Sequence, residues 1–213
     1  MRGPLSILLL SLAAATPIPH ETKVDPHSFR VVTSDSGPVN YYTVVQDAEE
    51  PFIRGAYRPP LETVTLGYEV PEALREGATR LRWRWRAQAL PVDGDECRSG
   101  FNDSAAVIYV SWKRGVRYYA IKYVWSTVAE KGRTCDPRRY LFVTQDTVIL
   151  ESGGPVGAWK AEEIDLAAEF RAHFADGDPK ADVPDFIGIG LLSDGDQTHS
   201  PAAADYKGFV LVH

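Results

Sequence analysis

Between Leu81 and Ala89 the chain alternates: Leu81, Trp83, Trp85, Ala87 and Ala89 fall on one set of positions, and Arg82, Arg84 and Arg86 on the other. A period of two sends successive side chains to opposite faces of a strand, so this stretch predicts a strand with one apolar, aromatic face and one cationic face. Because the apolar face starts at Leu81 and continues through Ala87 and Ala89, Trp83 and Trp85 are expected to pack inward, their indole N–H groups needing buried partners. The arginines then face outward, paired with carboxylates of a neighbouring strand or lining a shallow groove for an anionic ligand, with Arg84 at its centre.

The same period recurs in residues 62–70, where Val64, Leu66, Tyr68 and Val70 share a side. Runs 105–112 and 116–125 read as a hairpin closed by Lys113-Arg114-Gly115, and the first, apolar on both faces, is expected at the centre of a sheet. Further short strands are expected at 29–33 and 41–45, separated by the turn 34–38, and at 140–143 and 147–150, paired around Gln145-Asp146. Two late strands at 187–192 and 206–212 complete the set. A short helical turn follows Pro71. In residues 164–174, Leu166, Phe170 and Phe174 repeat at i, i+4 and i+8, with Asp165 placed to cap a helix. Short strands, regular turn chemistry and one helix predict an all-β, antiparallel jelly-roll-like β-sandwich rather than a βαβ fold.

Composition narrows the setting. A chain of 213 residues, 44% hydrophobic and 24% charged, suits one globular domain, placed at 29–213 after a polar leader at 16–28 that is expected to be unpaired and disordered. Residues 1–15 read as a secretory signal peptide: Arg2 supplies the charge, 5–12 the apolar run, and Ala13, Ala14 and Ala15 the cleavage site. The run is too short for a stable membrane anchor, so a periplasmic or secreted protein with no transmembrane anchor after cleavage is expected. A net charge of -6 argues against nucleic acid or anionic lipid as partners. Cys97 and Cys135 lie in loop-like sequence, and an oxidising compartment would let them form a disulfide, worth roughly 4 kcal/mol by loop entropy.

Several stretches then resemble a known family. Trp83-Arg84-Trp85 leads to Ala89-Leu90-Pro91. Asn102-Asp103-Ser104-Ala105-Ala106 leads into Ile108-Tyr109-Val110, and Tyr123-Val124-Trp125 follows. Later come Trp159 with Glu162, Phe174, the run Ser193-Asp194-Gly195-Asp196-Gln197-Thr198, and Tyr206-Lys207-Gly208. Over roughly residues 79–212 this order and spacing resemble the bacterial exported family called domain of unknown function 3047 (DUF3047). The chain departs from the family pattern at Asn102-Asp103, where paired aspartates are usual, and at Val107, where an arginine commonly stands. The resemblance implies a jelly-roll sandwich akin to galactose-binding and other carbohydrate-binding modules, and implies no activity.

Candidate chemistry concentrates in the loops. Asp103, Asp194 and Asp196 stand at strand ends, where a sandwich places its loops; they could bond loop backbone, coordinate calcium (Asp194 and Asp196 above all), or act as a glycosidase acid and base. Thr198 joins them, and Tyr123 and Trp125 are candidate stacking residues. No Gly-x-Ser-x-Gly elbow, His-Glu-x-x-His or phosphate-cradling glycine loop is present, and His199 is the one histidine placed to act as acid or base. The expectation is a non-enzymatic protein that binds carbohydrate or another cell-envelope component and requires no cofactor. The alternatives are a glycan hydrolase using Asp103 with Asp194 or Asp196, and a structural or assembly subunit.

Overall fold

The computed structural model describes residues 20–32 and 39–213. The expected signal peptide and the turn at 34–38 lie outside the described residues. Two sheets face each other. In one, β3 (Tyr42–Val45), β4 (Phe52–Tyr57), β13 (Ala202–Val212), β6 (Arg80–Ala89) and β11 (Lys160–Asp165) lie side by side, and β1 (Glu21–Lys23) pairs with the far end of β13. In the other the order is β2 (Arg30–Val31), β5 (Leu66–Glu69), β12 (Asp185–Asp194), β7 (Ser104–Arg114), β8 (Arg117–Ser126), β10 (Val143–Ser152) and β9 (Thr134–Arg139). The result is the all-β sandwich expected. Among the described residues all strand pairs are antiparallel except β8 with β10, where Val143 lies beside Tyr118 and Val148 beside Tyr123 in parallel register.

The alternating stretch at 81–89 is β6, with Trp83 and Trp85 fully buried. Their rings meet those of β8 across the interior, Trp83 against Tyr123 at 5.8 Å and Trp85 against Trp125 at 5.8 Å between centroids. Four large rings thus tie the two sheets together, and truncating one would cost about 3–5 kcal/mol. The second run of the hairpin pairs with the first as expected, and β7 is the central strand of its sheet. Helix α1 (Glu72–Arg75) is the short turn after Pro71. Helix α2 (Leu166–Phe174) begins at Asp165, whose side chain accepts a 2.8 Å bond from the Ala168 amide, and buries Leu166 and Phe170.

Three expectations are corrected. The described part of the supposed leader is ordered by pairing: Glu21, Thr22 and Lys23 align with Val212, Leu211 and Val210. Gln145-Asp146 is no turn. Asp146 is buried inside a continuous β10, bonded to His173 at 2.9 Å and paired with Arg139 at 2.7 Å, so its side chain serves tertiary contacts instead of a loop. The hairpin turn falls earlier, at Leu141-Phe142, with Tyr140 donating to the Val143 carbonyl at 2.8 Å. Strands β4, β9 and β11 are not expected from the sequence because Gly55, Pro137 or charges interrupt them; β9 and β11 are edge strands, where such residues are tolerated, and β4 is held between β3 and β13. Among the described residues no helix is long and apolar enough to cross a membrane.

Candidate functional site

The predicted carboxylates do meet. Ligand oxygens of Asp103, Asp194 and Asp196 all lie within 4.8 Å of one another. A tight loop presents Asp194 and Asp196: the Ser200 amide bonds Gly195 O at 3.0 Å, and a Cβ on Gly195 would stand 1.9 Å from Ser200 O, so only glycine fits. Asp103 has no exposed surface and accepts from the Gln197 and Thr198 amides at 3.2 and 2.6 Å. The Thr198 hydroxyl is bonded to Ser200 at 2.7 Å. Asp194, also buried, accepts from the Ser104 amide at 3.2 Å. Burial pushes its carboxyl well above the ordinary range; Lys122 opposes this, and Glu96, Asp103 and Asp196 add to it. Asp196 is the most open of the three.

The oxygen set is chemically suited to a hard cation. However, Asp103 already closes the loop with both of its oxygens, and the buried ammonium of Lys122 already acts on Asp194. Nor does the cluster present two open carboxyl groups facing each other across a cleft, the arrangement glycoside hydrolysis needs. Its geometry is that of a loop clasp.

Beneath this clasp lies a polar pair that the sequence reading missed. Lys122 and Glu96 form an ion pair at 2.6 Å, and Glu96 also accepts from the Ser104 hydroxyl at 2.6 Å. Burial lowers the Lys122 pKa, but the groups around it, with the Glu96 carboxylate 2.6 Å away, outweigh burial and the net shift is upward. The one available signal was a lysine between Ala120 and Val124 on an otherwise apolar strand face. Glu96 is held beside Cys97, whose disulfide to Cys135 (Cα–Cα 5.5 Å) fastens the loop to edge strand β9. The loop covers a second small core of Val107, Val124, Ala129, Ile149 and Leu192 on the outer face of that sheet.

Tyr123 and Trp125, expected as stacking residues, are core side chains. Tyr123 donates to Glu169 at 2.7 Å, and the Trp125 indole donates to Gly153 O at 3.0 Å. The arginine row is an outer face, as predicted, and its charges are paired: Arg82 with Glu21 and Glu163, Arg84 with Glu49, Arg86 with Asp205. Arg84 stands over the half-buried Trp159 ring at 5.8 Å, beside Arg86 at 4.4 Å and Lys207 at 4.7 Å. These cations are held by carboxylates and one indole instead of an open anion groove.

An open concavity lies elsewhere, on the outer face of the seven-stranded sheet. Register places Arg30, Gly67, Gly190, Tyr109 and Lys122 side by side across β2, β5, β12, β7 and β8. The next outward row holds Glu69, Gly188 and Ser111. Three glycines remove side chains from adjoining strands, and the sheet floor is left low. A groove of about 680 Å³ results, with Ser28, Arg30, Thr65 and Glu69 at its sides and Tyr109 and Ser111 across it. Tyr109 leans against Gly190, where an added Cβ would meet its ring at 3.1 Å. None of the residues expected from the sequence to bind ligand lines this groove.

The family model described as protein of unknown function (DUF3047) matches residues 38–210. No curated protein matches the sequence. Among solved structures, a family 11 carbohydrate-binding module from Clostridium thermocellum in complex with a β-1,3-1,4-mixed-linked tetrasaccharide is similar at TM-score 0.45 and 10% identity, covering 92% of this chain and 96% of that one. The xyloglucanase domain of NopAA, a type three effector from Sinorhizobium fredii in complex with cellobiose, is similar at TM-score 0.42 and 10% identity, covering 89% and 100%. At such scores no ligand carries over to this chain.

Proposed function

The chain belongs to the DUF3047 family, whose description fixes no ligand, and from that premise we propose that it binds a carbohydrate chain in the glycine-floored groove of the seven-stranded sheet. One observation carries this: three glycines, Gly67, Gly188 and Gly190, lower the floor beside a tyrosine ring and leave about 680 Å³, within the range of small-ligand sites. A sugar ring has an apolar C–H face and a rim of hydroxyls. The groove offers both complements, an apolar floor with Tyr109, and donors and acceptors at Ser28, Arg30, Thr65, Glu69 and Ser111. Binding without reaction fits this lining, because Asp103 and Asp194 of the acidic cluster are buried and bonded to loop backbone. The Cys97–Cys135 disulfide supports an oxidising, exported setting, where such glycans are met.

A panel of soluble cell-envelope and plant oligosaccharides, read as shifts in melting temperature, tests this. A glycan at 100 times its Kd would stabilise the fold by about 2.7 kcal/mol. Ser111→Trp fills the groove from a partly exposed position and is expected to abolish the shift with the unliganded melt unchanged. No shift with any glycan, or a shift that survives Ser111→Trp, would refute the proposal.

A further inference from the structure

The parallel pairing of β8 with β10 has a geometric result. Both strands start at the same end of the sheet, so the β7–β8 turn and the β9–β10 turn project side by side, with the Tyr118 amide donating to Phe142 O at 2.7 Å. Both turns carry apolar side chains into solvent. Tyr140, Leu141 and Phe142 are 67%, 75% and 52% exposed, and Val116, Tyr118 and Val143 are 69%, 41% and 41% exposed. A soluble surface rarely keeps so many adjoining large apolar groups uncovered.

The charge beside them runs against that of the whole chain. Residues 113–118 and 137–143 hold Lys113, Arg114, Arg117, Arg138 and Arg139 and no carboxylate, in a protein of net charge -6. Arg114 pairs with Asp182, Arg139 with the buried Asp146, and the Lys113 ammonium stands over the Tyr118 ring at 5.1 Å. Exposed Asp176 lines the concavity beside Leu141 and Phe142, and exposed Asp185 lies opposite Lys113 at the base of the β7–β8 turn, so these carboxylates offset part of the basic charge. We infer that this end of the sandwich docks on an anionic lipid surface, with Leu141 and Phe142 entering the headgroup and acyl boundary and the basic residues beside them meeting lipid phosphates.

Charge complementarity selects this occupant. A lipid surface wants a small apolar probe, interfacial tyrosines and a basic collar, and the two turns supply all three. Net acidity does not oppose it, because a surface potential acts within about one Debye length and so acts on the tips. The groove of the proposed function lies on the sheet face, so the two activities are separable.

The test is co-sedimentation of the purified chain with vesicles of pure phosphatidylcholine and of an equimolar mixture of phosphatidylcholine and phosphatidylglycerol. Binding is expected to the mixed vesicles, to weaken as salt rises, and to fall at least about tenfold for both Leu141→Ser/Phe142→Ser and Lys113→Glu/Arg117→Glu. All of these residues are exposed, and unchanged circular dichroism and melting temperature would confirm folding of each variant. No binding to mixed vesicles overturns the inference, as does binding that survives the apolar variant. Concentration-dependent dimerisation, abolished by the same apolar variant and without lipid binding, would instead assign the patch to a contact between copies of this chain.

Discussion

Lys122 and Glu96 form a 2.6 Å ion pair whose side chains are 8% and 2% exposed, one on a central strand and the other in a loop. A pair this dry is costly to make and costlier to break, because removing one partner leaves the other charged and unsolvated. Lys122→Met is therefore expected to lower the unfolding free energy by about 3–5 kcal/mol in urea titrations. Glu96→Gln/Lys122→Met is expected to recover most of that loss. A single substitution costing under about 1 kcal/mol would show that water reaches the pair.

Asp194 has its folded carboxyl pKa raised, by burial first and then by neighbouring carboxylates against the pull of Lys122. Between the unfolded value, about 4, and that raised value, the folded state holds the extra proton, so its contribution falls as pH rises. Asp194→Asn keeps an acceptor for the Ser104 amide and removes this titration. Relative to the variant, the wild type is expected to lose stability from about pH 4 upward, read from urea midpoints. Calcium and a chelator are expected to leave both curves in place. A calcium-dependent rise abolished by Asp194→Asn would make the cluster a cation site instead.

The Cys97–Cys135 disulfide closes 38 residues of separation and pins the loop that covers the small outer core. Cys97→Ser/Cys135→Ser is expected to lower stability by roughly 4 kcal/mol on the loop-entropy estimate. Amide exchange should quicken in residues 94–103 and 127–135 while β6 and β13 stay protected. Uniform loss of protection would mean that the loop is integral to the main core.

Asp205 collects bonds from Arg54, Arg86 and Gln88 at 2.7–2.8 Å on the outer face of the other sheet. Burial alone would raise its carboxyl pKa, but these donors outweigh burial and the net shift is downward. The stability it adds is present above about pH 4 and lost as pH falls through the lowered folded value. Asp205→Asn is expected to cost about 1–3 kcal/mol at neutral pH and to flatten the acid limb of the stability curve. Partial exposure of Arg54 keeps the figure toward the lower end.

How far the sequence could be read follows from what each residue's neighbours reveal locally. The alternation through Trp83 and Trp85 announces its own buried face, and the apolar run at 105–112 its central place, because both depend on period alone. Asp146 misleads because a polar residue between two apolar runs reads as a turn, while its partners His173 and Arg139 come from a helix and an edge strand. The clustering of Asp103, Asp194 and Asp196 was legible from their positions at strand ends. Whether they face a ligand was not, since that depends on which amides reach them. The groove left no local trace at all: Gly67, Gly188 and Gly190 become one floor only through the register of β5 with β12, and of β12 with β7.

The most direct check on the central claim is hydrogen–deuterium exchange of the chain with and without a glycan that raises its melting temperature. Binding in the groove predicts added protection confined to residues 65–69, 109–111 and 187–190, lost in Ser111→Trp. Protection centred on residues 103–104 and 194–198, with the groove strands unchanged, would contradict it and return the site to the acidic loops.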